Sequence, residues 1–475
     1  MDQKAISIKK AAILNAGSKY MTVILQIIYM AVLSRILTPE EFGVVAVINV
    51  FIIFFQLFAD MGFGTAVIQN KNLSDDEINS IFTFTIYLGI LLMLLFMGAS
   101  FIIAAVYNND IYVPLGFMLS FSLMFNAFNM IPNSVMLKNK KFLAIATRTI
   151  IVSLTSYSIT IVLAFAGLGV YALAANSIMM AFLLFLWNET STRLKFKGRV
   201  IFATLQKVWS YSLYQFGAQG LNYFNRNLDN ILIGKYFSTT DLGYYNKSYT
   251  LAGYPVTYLP GVITPVLHPI LSEHQNDKDY IYNTYIKLLK FLSLIGCFGA
   301  AFCFFASKEI ILIAFGYQWE ASILPFKIIS LSLWMQILTN TIAPIYQSLG
   351  NTKLLFKSTI LTSCLIISSI ILGIRLGTII SVSVCVSAAY MINFLISFVV
   401  MMKGAFRNSF FIFVKNFWHE LIFFCLLILI AIFWPFRIEN IIFSFALKFL
   451  IYEILYLLML IVSKQYKVLL EFIKS

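Results

Sequence analysis

Apolar stretches long enough to cross a bilayer follow one another along almost the whole chain. A spanning helix needs about 20 apolar residues, and such segments fall at approximately 11–35, 43–67, 79–106, 112–136, 144–166, 169–188, 208–235, 243–271, 282–306, 322–348, 355–374, 378–402, 418–435 and 440–462. Only 11% of the 475 residues are charged, against about 25% in an ordinary soluble domain, and the mean hydropathy is +0.87. So little charge cannot cover a water-facing surface, which excludes a soluble enzyme and equally a disordered chain. The expected fold is an all-α polytopic membrane protein of about fourteen transmembrane helices with short connections.

The net charge of +14 is read first as a sidedness signal. Threaded alternately from a cytoplasmic N-terminus, the inner connections collect Lys138, Lys140, Lys141 and Arg148, then Arg193, Lys195, Lys197, Arg199 and Lys207. Lys353, Lys357, Lys403, Arg407, Lys415, Lys464, Lys467 and Lys474 follow on the same side. A miscounted helix would scramble that asymmetry, so both termini are expected in the cytoplasm. The first apolar stretch follows Lys4, Lys9 and Lys10 and is too long for a secretory leader, so it reads as an uncleaved span. Trp187, Trp209, Trp319, Trp418 and Trp434 fall at predicted span ends, where an indole prefers the headgroup level. The five cysteines lie in apolar runs without metal-ligand spacing and read as small core hydrophobes. The longest connection, near 191–207, is basic. It reads either as an amphipathic strip on the inner membrane surface or as a solvated tether.

An internal repeat organises the spans. Arg35-Ile-Leu-Thr-Pro-Glu-Glu41-Phe-Gly43 aligns with Lys235-Tyr-Phe-Ser-Thr-Thr-Asp241-Leu-Gly243, with base, bulky pair, hydroxyl, acid, hydrophobe and glycine in register. Gly17 and Gly217 match at the same offset of 200 (217 − 17 = 200), and Pro132 with Leu137 to Lys141 resembles Pro344 with Leu349 to Lys353. The unit holds six spans, so both copies enter the membrane from one side. This implies two lobes related by a pseudo-two-fold axis along the membrane normal. The expected division is an N-lobe over 1–190, a linker over 191–207, a C-lobe over 208–402 and an appended helix pair with a tail over 403–475.

Helix 1 carries Asn15, Lys19, Thr22, Gln26 and Tyr29, spaced four, three, four and three so that they share one face. Gln215, Gln219, Asn222, Arg226 and Asp229 repeat that spacing 200 residues later. In lipid such a face must turn to protein or water. It therefore either lines a polar cavity or glues helices by hydrogen bonds. Lys19, Arg226 and Lys247 are the candidate cations of that cavity, and Asn15, Thr22, Gln26, Gln215, Gln219 and Asn222 are its candidate polar lining. Each cation also has a plainer role: Arg226 can neutralise Asp229 one turn away, and Lys247 can snorkel to headgroups. Asp60 and Asp229 are candidate carriers of H⁺ or Na⁺, with an Asp60–Lys19 ion pair as the competing role for Asp60. Pro255, Pro260, Pro265 and Pro269 predict a kinked or locally unwound span 8. His268 reads as a packing residue, and Lys448 with Glu453 as a structural pair.

No phosphate loop, metal-spaced cluster or catalytic triad is present in the sequence, so an enzyme is not expected and no cofactor is implied beyond a coupling ion. The segment Arg35 to Gly43, followed by Phe54-Phe-Gln-Leu-Phe-Ala-Asp60-Met-Gly62-Phe-Gly64-Thr-Ala66-Val-Ile-Gln69, resembles the Wzx-type polysaccharide flippases. So does Asp229-Asn-Ile-Leu-Ile-Gly234 running into Leu242-Gly243-Tyr-Tyr-Asn-Lys247. These flippases belong to the multidrug/oligosaccharidyl-lipid/polysaccharide exporter superfamily. The resemblance implies fourteen spans in two lobes and a place in the bacterial plasma membrane. It also implies outward movement of an undecaprenyl-pyrophosphate-linked oligosaccharide by alternating access, for capsule, O-antigen or a related polymer. A polymerase and chain-length machinery are the partners such a protein implies. Two alternatives stand beside it. A multidrug exporter of the same superfamily should have a net acidic cavity, and a membrane polymerase or ligase should carry a large external loop.

Overall fold

A computed structural model describes residues 8–70, 73–201, 220, 223–224, 226–274, 277–436 and 438–474. It is helical throughout, with no strand among the described residues. Ten described helices are long and apolar enough to cross a membrane, or eleven if the bent pair Tyr317–Ser330 and Leu333–Ser348 is one span. The expected count of fourteen is larger for identifiable reasons. The 208–235 segment lies mostly outside the described residues, the helix Thr239–Glu273 is more polar, and Trp418–Ile432 has only 15 residues. By packing, the chain divides into two compact units, Met1–Gly243 and Tyr244–Ser475.

In the first unit the helices are α1 (Ile8–Ile36), α2 (Pro39–Asp60), α3 (Phe63–Gln69), α4 (Asp75–Tyr107), α5 (Tyr112–Lys138), α6 (Phe142–Phe165) and α7 (Val170–Thr192). The aligned repeat segments are helix starts. The Thr38 hydroxyl accepts from the Glu41 N–H while the Thr38 N–H donates to the Glu41 carboxylate at 2.7 Å, a reciprocal cap. Ser238 and Asp241 repeat it, the Ser238 hydroxyl accepting from the Asp241 N–H at 3.0 Å. The paired glycines mark where the two starts cross. A Cβ on Gly43 would lie 1.7 Å from the Thr239 carbonyl oxygen, and one on Gly243 would lie 2.0 Å from that of Pro39. Pro39 and Thr239 are themselves 200 apart, so the contact is reciprocal about a local two-fold. Around it, the Tyr223 hydroxyl donates to the Val50 carbonyl at 2.8 Å and the Tyr107 hydroxyl to that of Ile231 at 3.1 Å.

Met61 and Gly62 break the second span. Gly62 sits at φ +76°, a left-handed conformation that a glycine takes without strain, and α3 restarts beyond it. Gly64 then lies against α5, with space for no side chain because a Cβ would approach the Ser134 hydroxyl to 2.6 Å. The connection after α7 is neither a helix nor a free tether over its described part. Residues 193–201 run as a non-helical strap along α4. The strap's N–H groups of Lys195, Lys197 and Ile201 donate to the side chains of Asn79, Thr83 and Ser80, at 2.8, 3.2 and 2.7 Å. Those three polar residues are buried, and the strap supplies a donor to each, while the Thr83 hydroxyl itself donates to the Asn79 carbonyl at 2.8 Å.

In the second unit span 8 is not unwound: of the two expectations, a kink or a local unwinding, the second does not hold, since Thr239–Glu273 is one helix of 35 residues with all four prolines inside it. Pro260 cannot donate to the Val256 carbonyl, and the Asn340 amide takes that oxygen instead at 2.9 Å. Lys448 pairs with Glu309 at 2.7 Å, not with Glu453. Ser444 donates to the same carboxylate oxygen at 2.7 Å, so the helix Ile441–Val462 is pinned to Ser307–Phe315.

Candidate functional site

The polar side chains of the first unit fall into two groups. On α1, Lys19 stands exposed, Gln26 is half-buried, and the Thr22 hydroxyl donates back to the Ser18 carbonyl at 2.8 Å. Tyr29, the last member of that face, is buried and stacked on Tyr157 of α6, ring centroids 4.1 Å apart. The face therefore changes role along its length, from an exposed cation to aromatic glue. The side chain of Asn15 and the whole of Gln215, Gln219 and Asn222 lie outside the described residues. Arg226 is exposed on the helix over 226–236, whereas Asp229 is buried and its Oδ1 accepts from the Asn230 N–H at 2.8 Å. In the second unit Lys247 is 1% exposed, its ammonium 5.1 Å from the ring centres of both Phe315 and Trp319. That is a cation–π enclosure built by its own unit.

The second group is a cavity of about 370 Å³ at the break between α2 and α3. Gln56 and Asp60 reach it from α2, Thr65 from α3, and Asn126, Asn129 and Asn133 from α5. The asparagines are spaced three and four, one face of a helix, and Asp60 opposes them from the broken span. The Asp60–Lys19 pair, the competing role for Asp60, is not formed: among the described residues Asp60 makes no ion pair, and its side chain is exposed.

Behind the asparagines lies a buried cation. Arg148, expected with the basic residues of an inner connection, belongs to α6 and is 6% exposed. Its Nη1 donates to the Asn133 Oδ1 at 3.2 Å and also to the Asn188 Oδ1. Asn188, wholly buried on α7, passes the direction on: its Nδ2 donates to the Asn129 Oδ1 at 2.6 Å. The spacing of Asn126, Asn129 and Asn133 was visible in the sequence. Arg148 and Asn188 carried no local signal, since they join the asparagines only through tertiary packing. The lining extends to Ile68 and Leu137, beside the basic end of the unit, where the Lys138 ammonium donates to the Asn70 carbonyl at 3.0 Å and that of Lys141 to the Ser191 carbonyl at 3.3 Å.

Apolar spans in this number, with ionisable groups held on their faces, define a multi-pass membrane protein. The family described as "Polysaccharide biosynthesis protein" matches residues 32–324, and the chain belongs to that family. It is 25% identical over 364 residues to the lipopolysaccharide biosynthesis protein WzxC of Escherichia coli (strain K12), covering 74% of this chain and 71% of that one. It is also 25% identical over 354 residues to an uncharacterized membrane protein in the cps region of Klebsiella pneumoniae, covering 72% and 71%. Among solved structures, the lipid II flippase MurJ in an inward closed conformation shares the fold. Its TM-score is 0.75 at 19% identity, covering 96% of this chain and all of that one. An inward-facing multidrug transporter of the MATE family gives a TM-score of 0.60 at 15% identity, with 81% and 97% covered.

Proposed function

We propose that the protein is a flippase that moves a lipid-linked oligosaccharide of a surface-polysaccharide pathway across the bacterial plasma membrane by alternating access. The observation that carries the reading is the family itself, joined to two exposed cations, Lys19 and Arg226, on membrane-embedded helices. Relatives named for lipopolysaccharide biosynthesis and for a capsule region, together with a fold shared with a lipid II flippase, support it. An undecaprenyl pyrophosphate is the chemistry such cations suit, because charge-assisted contacts to phosphate oxygens are roughly twice as strong as neutral ones. Both termini are cytoplasmic in this reading, transport rather than catalysis is the activity, and H⁺ or Na⁺ is the coupling ion to be tested.

The test is flux in vesicles that carry lipid-linked repeat units extracted from cells. Wild-type protein accelerates flipping. Lys19→Ala and Arg226→Ala each slow it about tenfold or more, the scale set by losing one charged hydrogen bond, with normal protein levels. Lys19→Arg does less harm than Lys19→Ala. Wild-type vesicles with no flux above empty ones sink the flippase reading. Wild-type rates in both Ala variants sink the cationic site alone.

A further inference from the structure

The cavity at the break between α2 and α3 has a directionality that its residue types alone do not show. A guanidinium only donates hydrogen bonds, so the atoms of Asn133 and Asn188 that face Arg148 must be the amide oxygens. Asn188 then has only its amine left for Asn129, which must answer with its oxygen. One buried arginine thus orients three amides in series. Asn129 and Asn133 both line the cavity, and their oxygens already accept from the protein behind them, which leaves their Nδ2 amines as the donors they can offer a ligand. Two of the three α5 asparagines therefore offer donors. The Asp60 carboxylate, across from them, only accepts when ionised.

This pattern selects among ligands. A desolvated hard cation needs six or more oxygens at about 2.4 Å, and here two of the three asparagine oxygens are turned away from it. A phosphate or other anion would meet the amines but also the Asp60 carboxylate. A sugar ring suits both sides, because each hydroxyl can donate a hydrogen bond to the Asp60 carboxylate and accept one from an amide N–H. The volume agrees, since 370 Å³ lies at the small end of the roughly 300–1,000 Å³ of small-molecule sites and holds a sugar ring or two, not a whole oligosaccharide.

We propose that this cavity is a hydroxyl-reading subsite for one sugar of the transported lipid-linked oligosaccharide, with Asp60 as acceptor and the Nδ2 groups of Asn129 and Asn133 as donors. The inference rests on the flippase reading for the identity of its ligand. It gives Asp60 a role in recognition in place of ion carriage, and it separates the sugar contacts from the cations that meet the pyrophosphate.

The test compares equilibrium binding of two probes to the full-length protein in detergent: the lipid-linked repeat unit extracted from cells, and bare undecaprenyl pyrophosphate. Wild-type protein binds the sugar-bearing lipid at least tenfold more tightly. Asp60→Asn and Asn133→Asp each bring that ratio close to one and leave affinity for the bare lipid unchanged. Asn133→Asp is the discriminating variant. It is isosteric, it gives Arg148 a countercharge, and it turns a lumen donor into an acceptor, so a sugar site weakens where a cation site would tighten. Melting temperature checks that both variants are folded. An unchanged ratio in folded variants overturns the subsite while the flippase reading stands. Na⁺-dependent binding that Asn133→Asp strengthens also overturns it, in favour of a cation. Wild-type protein that binds neither lipid overturns the flippase reading, and the subsite with it.

Discussion

Arg148 shows how one buried charge sets the chemistry of a surface it does not touch. Its guanidinium has no countercharge among its described hydrogen-bond partners, only two amide oxygens, and its Nε finds no partner among the described residues. Removing it leaves the wholly buried Asn188 oxygen and the Asn133 oxygen without a donor, and an unsatisfied buried acceptor costs about 1–3 kcal/mol. Arg148→Met should therefore lower unfolding stability by about 2–4 kcal/mol, read as a drop in melting temperature in detergent. Arg148→Lys should fall between the two, because an ammonium keeps the charge without the planar fork. A wild-type melting temperature in Arg148→Met would show that the amides hold their orientation without it. Little of this was legible in the chain. The periodicity of Asn126, Asn129 and Asn133 marks a polar helix face, but amide direction is a tertiary property, fixed by a residue 15 positions away from Asn133. The apolar-run pattern pointed to the opposite placement for Arg148, since a base near a predicted span end is normally solvated.

At the scale of elements, the repeat was legible and its purpose was not. Spacing alone aligned Arg35 to Gly43 with Lys235 to Gly243, and the hydroxyl and acid of each copy prove to be reciprocal helix caps. That the two glycines meet each other's helix could not be read from the sequence, because close approach depends on crossing geometry. Such a contact leaves no room for a methyl group. In Gly43→Ala the new carbon would stand 1.7 Å from the Thr239 carbonyl, and in Gly243→Ala 2.0 Å from that of Pro39. Backbone, not a flexible side chain, blocks each one, so the helices must separate and carry the nearby Tyr223–Val50 and Tyr107–Ile231 hydrogen bonds with them. Each variant should lower the melting temperature. The double variant should lose less than the sum, because the first separation already makes room for the second methyl. Strictly additive losses would mean that the two glycines do not share one contact. The prolines of Thr239–Glu273 teach the converse. Four of them predict a kink or unwinding by propensity, yet the helix is not unwound, and at Pro260 a neighbouring asparagine takes the Val256 carbonyl that the proline cannot reach.

At the scale of the whole molecule, the proposed loading direction follows from which end faces the cytoplasm. The lining of the sugar-sized cavity reaches Ile68 and Leu137, next to the end that carries Lys138, Lys141 and the strap of Arg193 to Arg199, while the capped helix starts at Thr38 and Ser238 belong to the connections predicted outside. Basic residues are retained on the cytoplasmic side of short connections, so the cavity should load from the cytoplasm, where lipid-linked repeat units are assembled in this reading. Thr38, Ser238 and Arg199 are all exposed, which makes them fair reporters. In a background whose five native cysteines are replaced, a membrane-impermeant thiol reagent should label Thr38→Cys and Ser238→Cys in intact cells. It should label Arg199→Cys only after permeabilisation. Labelling of Arg199→Cys alone in intact cells would invert the protein and place the cavity outside, so that it would read the released product instead of the arriving substrate. Labelling of Thr38→Cys without Ser238→Cys would mean that the two repeat copies enter the membrane from opposite sides. The reciprocal crossing of Gly43 and Gly243 argues against that outcome. Two helix starts in backbone contact must lie at the same depth, and a membrane gives residues at one depth the same side.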